Sequence, residues 1–79
     1  MIKVLFFGPV AQRAGCRELS VEHRAGLRLQ DLRDELAARY ADAFAIVCFS
    51  AVDGAQAHDA AQPLADGSEV AFMAKFSGG

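Results

Sequence analysis

The last three residues, Ser77, Gly78 and Gly79, could take part in chemistry although none carries a strongly reactive side chain. Glycine has no Cβ, so a Gly-Gly terminus can pass through a channel too narrow for other residues. The α-carboxylate of Gly79 would then be the functional group at the tip. Because a carboxylate is a poor electrophile, a partner enzyme would have to activate it. Short tails are often only disordered ends, and composition alone leaves that alternative open.

The rest of the chain offers little chemistry of its own. Cys16 lies in a bend beside Arg17, which could make its thiol reactive, whereas Cys48 lies within an apolar run and is expected in the core. His23 and His58 are isolated, and no spacing of Cys, His and acidic residues resembles a zinc site. We therefore expect no bound metal and no bound cofactor.

Length and composition indicate one small domain. The chain has 79 residues, a formal net charge of −2 and 53% hydrophobic residues, which is enough for a dense core. The Lys and Arg residues are scattered, so nucleic acid is not an expected partner. The apolar runs are too short to cross a bilayer, and the first residues do not resemble a signal peptide. With two cysteines and no export signal, a cytoplasmic location is expected.

Apolar periodicity predicts strands and one helix that would position the tail. Leu29, Leu32, Leu36 and Tyr40 recur at the spacing of an amphipathic helix of roughly three turns. Strands are predicted at residues 2–7, 18–22, 46–52 and 69–76, with a tight turn at Asp53-Gly54, a short edge strand after it, and a polar bend at 12–15. The strand at 46–52 is the most apolar and is expected to be well buried. One helix cannot cover both faces of a mixed sheet, so an α+β fold is predicted.

This layout predicts an apolar patch on the uncovered face of the sheet. Leu5 and Phe7 of the first strand would lie there, as would Ala71 and Met73 of the last strand, if the two strands are neighbours. Exposed apolar patches often mark partner sites, although a loop could cover this one. Lys75 would flank the tail, where it could pair with an acidic groove on a partner or keep the sheet edge soluble.

Three segments of the chain resemble the small subunit of molybdopterin synthase, the MoaD-type sulfur carriers. They are residues 2–8, residues 63–72 and the closing Ser-Gly-Gly at 77–79. The resemblance runs nearly end to end and implies an α+β, β-grasp (ubiquitin-like) fold, with a mixed sheet of four to five strands and one main helix packed on one face. The implied domain spans residues 1–76, and a flexible tail spans 77–79.

The resemblance also implies a chemical cycle. An adenylyltransferase of the ubiquitin-activating (MoeB) type would use ATP to adenylate the carboxylate of Gly79, and a sulfur donor would convert it into a thiocarboxylate. The tail, including Gly78, would then enter the large (MoaE-type) synthase subunit and donate sulfur to cyclic pyranopterin monophosphate, for the molybdenum cofactor. The carrier would catalyse nothing alone. The expected partner-binding residues are Leu5, Phe7, Ala71, Met73, Lys75, Phe76 and Ser77.

One departure from the family pattern lies next to the tail. Many MoaD-type chains carry a proline pair before the last apolar residue, whereas this chain has Ala74 and Lys75 before Phe76. Because proline would stiffen this segment, a looser tail is expected. A ThiS-like carrier, a sulfur carrier of another pathway and a ubiquitin-like modifier conjugated through its terminal glycine remain alternatives. A plain interaction module with the same fold and no tail chemistry is a further one.

Overall fold

The computed structural model describes residues 1–75, which form one mixed β-sheet with helices packed on one face. The strands are β1 (Ile2–Phe6), β2 (Glu18–Val21), β3 (Val47–Val52), β4 (Ala55–Gln56) and β5 (Glu69–Ala74). Their order in the sheet is β2-β1-β5-β3-β4. The central pair β1 and β5 is parallel, and the other neighbouring pairs are antiparallel. The predicted α+β class is confirmed, and the first and last strands are neighbours, which was the condition for the predicted patch.

The helices are α1 (Pro9–Ala14), α2 (Leu29–Arg39) and α3 (Ala41–Phe44). The predicted main helix is α2. Its first turn is fixed by Asp31, whose carboxylate accepts a hydrogen bond from the backbone N–H of Arg28 at 3.1 Å. Such a bond satisfies one of the donors that a helix leaves unpaired at its N-terminus.

The prediction of a polar bend at residues 12–15 was wrong, because the segment belongs to α1. Pro9 starts this helix with a φ angle already suited to it. Gly15 ends it in the left-handed conformation, with φ of 80°, and its N–H donates to the carbonyl of Ala11 at 2.9 Å. Val10 is fully buried. A helix of six residues with one buried side chain is too short to show helical periodicity in the sequence.

The hydrophobic core lies between the sheet and the helices. Phe72 of β5 is at its centre, with ring centroids 5.0 Å from Phe44 and 6.2 Å from Phe6. Core residues alternate with less buried ones along β1, and they recur every three or four positions along α2. The fully buried side chains of largest volume are Phe72, Ile2, Leu27, Leu32, Leu36, Val4, Val10 and Val70.

Strand β3 is less buried than its apolar sequence predicts. Only Val47 and Val52 are buried, whereas Cys48 and Phe49 are exposed, so the prediction that Cys48 lies in the core was wrong. The register against β5 shifts between Val47 and Phe49, which is a β-bulge. A continuous apolar run predicts a strand that is buried on both faces, but the helices cover only one face of this sheet.

The turn after β3 matches its prediction. Asp53 and Gly54 both have positive φ angles, 50° and 84°, as a two-residue hairpin turn requires. The short strand β4 that follows pairs with the end of β3. Within residues 1–75, no helix has the length and apolar character needed to cross a membrane.

Candidate functional site

The face of the sheet opposite the helices carries the predicted apolar patch. Leu5 lies directly beside Ala71 in the parallel pairing of β1 with β5, and Met73 lies two residues further along β5. All three side chains are half-buried, and none belongs to the half-buried residues that pack against the core. They alternate with the fully buried residues of the same strands, so they point away from the helices. We call this side of the sheet the open face.

Strand β3 adds two residues to the open face that were not predicted. Phe49 pairs with Met73, and Ala51 pairs with Ala71. Directly opposed residues in an antiparallel pair point to the same side of the sheet. Phe49 is 41% exposed, which makes it one of the most exposed large apolar residues of the described chain. The sequence alone carried no signal for it, because the register shift between Val47 and Phe49 is seen only in the pairing of β3 with β5.

Phe7 follows β1 and lies near the end of β5. Its backbone N–H donates a hydrogen bond to the carbonyl of Phe72 in β5, at 3.3 Å. Phe7 is 47% exposed. Together with Leu5 it lines an open groove of about 720 Å³ between the end of β1, α1 and the start of β2. Cys16 and Arg17 line the other side of this groove. The structure therefore places Leu5, Phe7, Ala71 and Met73 in one region, as the sequence predicted.

The opposite end of the open face is charged. Lys3 lies beside Glu69 in the strand pairing and forms an ion pair of 3.5 Å with Glu18 of β2. Because β1 and β5 are parallel, these charges lie where β5 begins, and the apolar residues lie where β5 ends. The open face thus has its apolar part next to the point at which the chain continues into residues 76–79.

The predicted site residues of the tail lie outside the described part of the chain. Lys75 is exposed and is the last residue that the structure describes. Phe76, Ser77, Gly78 and Gly79 follow it, and their assigned roles stay predictions, as does the division into a domain over 1–76 and a tail over 77–79.

The carboxyl group of Asp66 has a lowered pKa, and it lies away from the patch. The N-terminal ammonium of Met1 forms a hydrogen bond with Asp66 and, with its charge, lowers the pKa of that carboxyl below its usual value. Among residues 1–75, no group of three or more His, Cys, Asp or Glu side chains could hold a metal ion. An exposed apolar patch of this kind is suited to apolar contact.

Comparisons with known proteins agree with this arrangement. A model of the ThiS family matches residues 4–79. No curated protein sequence matches the chain significantly.

Solved structures of the same fold include two kinds of protein. A Pyrococcus furiosus protein assigned as molybdopterin converting factor, subunit 1, has a TM-score of 0.83 and 26% identity, over 95% of this chain and 97% of its own. SAMP1 from Haloferax volcanii has a TM-score of 0.83 and 21% identity, and the match covers 99% of this chain and 98% of its own. A chain in the complex of subunits 1 and 2 of the Helicobacter pylori molybdopterin-converting factor has a TM-score of 0.68 and 22% identity. The match covers 99% of this chain and 97% of that one. These neighbours show a β-grasp, ubiquitin-like fold.

Proposed function

The chain belongs to the ThiS family, and from this membership we propose that it is a sulfur carrier that acts as the small subunit of molybdopterin synthase. The observation that carries the proposal is the family match through Gly79, combined with an apolar open face at the end of the strand that leads to that glycine. The choice of pathway is supported by the 26% identity with the Pyrococcus furiosus molybdopterin converting factor, subunit 1.

In the proposed cycle the tail carries the chemistry and the domain presents it. A carboxylate oxygen of Gly79 attacks the α-phosphorus of ATP on an activating enzyme, and pyrophosphate leaves. Sulfur at the sulfide oxidation level, such as hydrosulfide, then attacks the acyl carbon, AMP leaves with the electrons of the broken C–O bond, and loss of a proton gives a thiocarboxylate at Gly79. This group holds sulfur covalently and in nucleophilic form until it reaches cyclic pyranopterin monophosphate. No side chain of the carrier has to act as acid, base or nucleophile.

The open face would hold the carrier against its partners while the tail reacts. Four residues beyond Lys75 can span roughly 13 Å when extended, enough to enter a cleft in a partner. Burying Leu5, Phe49 and Met73 at the base of the tail would fix the direction in which it leaves. In the same fold, a Helicobacter pylori converting factor has been solved as a complex of subunits 1 and 2, which supports a large synthase subunit as the partner.

The proposal is tested by conversion of the Gly79 carboxylate into a thiocarboxylate, which we call charging, and by binding to the large synthase subunit. The protein is incubated with a MoeB-type activating enzyme, ATP and a sulfur source, and its mass is measured. We expect a gain equal to one oxygen-to-sulfur exchange, located at Gly79, and co-elution with a molybdopterin synthase large subunit. Deletion of Gly79 should abolish charging, and a conservative change at an exposed helix position, Ala38→Ser, should leave it unchanged.

Two results would reject the proposal at different levels. Unchanged sulfur transfer after deletion of Gly79 would exclude the tail as the carrier group. Normal charging without any binding to the large subunit would keep the sulfur carrier but exclude this pathway, and would favour a ThiS-like carrier or a carrier for another metabolite.

A second candidate function is a ubiquitin-like modifier. The similarity in fold to SAMP1, described also as small archaeal modifier protein 1, favours it. A modifier would form an isopeptide bond between Gly79 and a lysine of another protein. Species of high mass that persist under reducing conditions, and that disappear on deletion of Gly79, would support this role.

A further inference from the structure

The two edges of the sheet differ in how well they are protected. At one edge, β4 has only two residues, and the strand behind it carries the bulge between Val47 and Phe49. Short strands and bulges both hinder the addition of a further strand. At the other edge, β2 pairs with β1 over four residues without a register shift, and it contains no proline. A strand of another molecule can therefore add more readily at β2 than at β4.

The outer backbone groups of β2 can be identified from its pairing. The N–H of Phe6 donates to the carbonyl of Arg17 at 2.8 Å, so Phe6 and Arg17 form a hydrogen-bonded pair. Hydrogen-bonded and non-hydrogen-bonded pairs alternate along an antiparallel ladder. The pairs at Glu18 and Ser20 are therefore of the second kind, and the N–H and C=O groups of these two residues point away from β1. Within residues 1–75 no backbone hydrogen bond occupies them.

The charge at this edge is already balanced within the chain. The ammonium of Lys3 in β1 lies 3.5 Å from the carboxylate of Glu18 in β2, and both residues are exposed on the open face. Ser20, which lies directly beside Lys3 in the pairing, is exposed and small. A strand that adds here therefore needs no basic residues of its own, and it meets a neutral ion pair next to a short polar side chain.

The hydrogen-bonding pattern selects one register for a second copy of the chain. A symmetric antiparallel pairing of two β2 strands can be centred on Glu18, Leu19 or Ser20. Centring on Leu19 places Glu18 of each copy opposite Ser20 of the other, so both outward residues of β2 are used and four hydrogen bonds form. Centring on Glu18 or Ser20 allows two within β2, and the first of these also opposes two carboxylates, which is destabilising.

The ion pairs of the two copies complement each other in this register. Glu18 of one copy lies beside Ser20 of the other, and Lys3 of that other copy follows on the next strand. Because neighbouring strands are about 4.8 Å apart, the Cα atoms of this lysine and glutamate are roughly 10 Å apart. The long Lys and Glu side chains can approach across the short serine. Around the two-fold axis the charges therefore alternate in sign, with a lysine on either side of each carboxylate.

The helical side of the sheet supplies an apolar contact at the same axis. Leu19 is half-buried and packs against the core. The two copies of Leu19 would form a non-hydrogen-bonded pair, in which the Cα atoms are about 4.5 Å apart and the side chains are close. Val21 would lie opposite Arg17 of the second copy, whose aliphatic stem can cover it. The edge is thus complementary to itself on both sides of the sheet.

We propose that the β2 edge binds a second copy of this chain, added antiparallel with Leu19 on the two-fold axis. The two five-stranded sheets then form one continuous sheet, in which both open faces lie on the same side and stay uncovered. Standard interfaces involve roughly 20–30 residues a side. A contact of one short strand is smaller, so the dimer is weak and forms reversibly at high protein concentration. Self-association therefore does not compete with binding at the open face and does not depend on the sulfur-carrier role.

Dilution of the intact protein tests the dimer directly. Amide NMR spectra and translational diffusion are recorded from millimolar to low micromolar protein. We expect saturable shifts centred on residues 17–21, together with diffusion that slows to that of a dimer as the concentration rises. A chain that stays monomeric at the highest concentration, or shifts confined to the open face around Met73, would overturn the proposal.

Exchange of charges separates this register from unspecific contact. Lys3→Glu should weaken association about tenfold, because four carboxylates then surround the axis. Lys3→Glu combined with Glu18→Lys restores the alternation of sign and should restore most of the affinity. Arg33→Glu makes the same change of charge at an exposed position of α2 and should have little effect. Equal weakening by Lys3→Glu and Arg33→Glu would contradict the register, since net charge alone would then control association.

Disulfide trapping locates the axis. In a background with Cys16→Ser and Cys48→Ser, Leu19→Cys would bring two thiols together at the axis, where a Cα separation of about 4.5 Å suits a disulfide. Ser20→Cys would not, because Ser20 lies opposite Glu18 of the second copy. We expect Leu19→Cys to cross-link at least about tenfold faster, after correction for the reaction of each thiol with a small disulfide.

A mixture of two variants keeps the test valid if Leu19→Cys does not fold. Glu18→Cys and Ser20→Cys alter exposed side chains, and an equimolar mixture should give the mixed disulfide in clear excess over both symmetric ones. Phe49→Ala changes the open face and should leave self-association unchanged. Statistical proportions of the three disulfides, or loss of self-association in Phe49→Ala, would show that the β2 edges do not meet in this way.

Discussion

At the scale of single residues, the open face depends on one extra residue in β3. Val47 and Val52 are five positions apart, so in a regular strand they would point to opposite sides of the sheet. The bulge between Val47 and Phe49 lets both valines reach the core. Phe49 then lies opposite Met73 with 41% of its surface exposed, which extends the apolar patch from the central strands to a third strand.

We predict that Phe49 contributes to binding and little to stability. Phe49→Ala should weaken binding to the large synthase subunit by about tenfold, which corresponds to roughly 1.4 kcal/mol, because an aromatic ring at the centre of an interface often dominates its energy. The free energy of unfolding should change by less than about 1 kcal/mol, since the ring is partly exposed in the free protein. Binding is measured by calorimetry, and unfolding by urea titration.

The matched control lies on the helical side of the molecule. Gln30 is exposed on α2, and Gln30→Ala should leave the affinity unchanged. If Phe49→Ala binds the large subunit as tightly as the wild-type protein, Phe49 lies outside the interface, and the apolar contacts would be restricted to β1 and β5.

At the scale of secondary-structure elements, α2 provides the largest helical contribution to the core. Leu29, Leu32 and Leu36 are all buried and lie on one side of the helix. The start of α2 is not marked by a favourable N-cap residue, because Arg28 occupies that position. The carboxylate of Asp31, three residues later, compensates by accepting the N–H of Arg28.

We predict that removal of this carboxylate destabilises the fold without affecting partner binding. Asp31→Ala should lower the free energy of unfolding by about 1 kcal/mol, as for other capping interactions. Asp34→Ala removes a similar charge from the same helix two residues beyond its first turn. It should cost clearly less, because no such bond to Asp34 exists in the described chain. Equal losses in urea titrations would show that charge, and not the capping bond, fixes the helix start.

The elements differ in how far their sequences reveal them. The strands β1 and β5 and the helix α2 have clear periodicity, and the motif at residues 63–72 made their arrangement predictable through the family resemblance. Helix α1 has a single buried residue, Val10, and depends on Pro9 and Gly15 at its ends, so periodicity could not detect it. The bulge in β3 depends on its neighbour β5, and a strand read alone cannot show a change of register.

At the scale of the whole molecule, the two faces of the sheet differ in what they carry. The helical face holds the core, and the open face leaves apolar residues beside the end of β5 and charged residues at its beginning. The patch was predictable on the condition that the first and last strands are neighbours, because Leu5, Ala71 and Met73 alternate with core residues on these strands. The contribution of Phe49 was not, because the apolar run around it predicted burial.

The distribution of amines across the molecule indicates which lysine a modifier of this sequence would use as an acceptor. Six of the eight basic residues are arginines, whose guanidinium groups stay protonated and do not act as nucleophiles at neutral pH. The two lysines are Lys3, which is ion-paired with Glu18 at 3.5 Å, and Lys75, which is exposed just beyond β5. If the protein is a modifier that forms chains with itself, Lys75 is the better acceptor, because the ammonium of Lys3 would first have to leave its carboxylate partner.

We predict that an activated preparation without a sulfur donor links Gly79 of one molecule mainly to Lys75 of another. Peptide mass spectrometry would locate the isopeptide bond after tryptic digestion. Lys75→Arg should remove most of these conjugates, and Lys3→Arg should leave them unchanged, while both variants should still accept sulfur at Gly79 when a donor is supplied. Conjugates found chiefly on Lys3 would contradict the prediction, since they would show that the ion pair with Glu18 does not protect that amine.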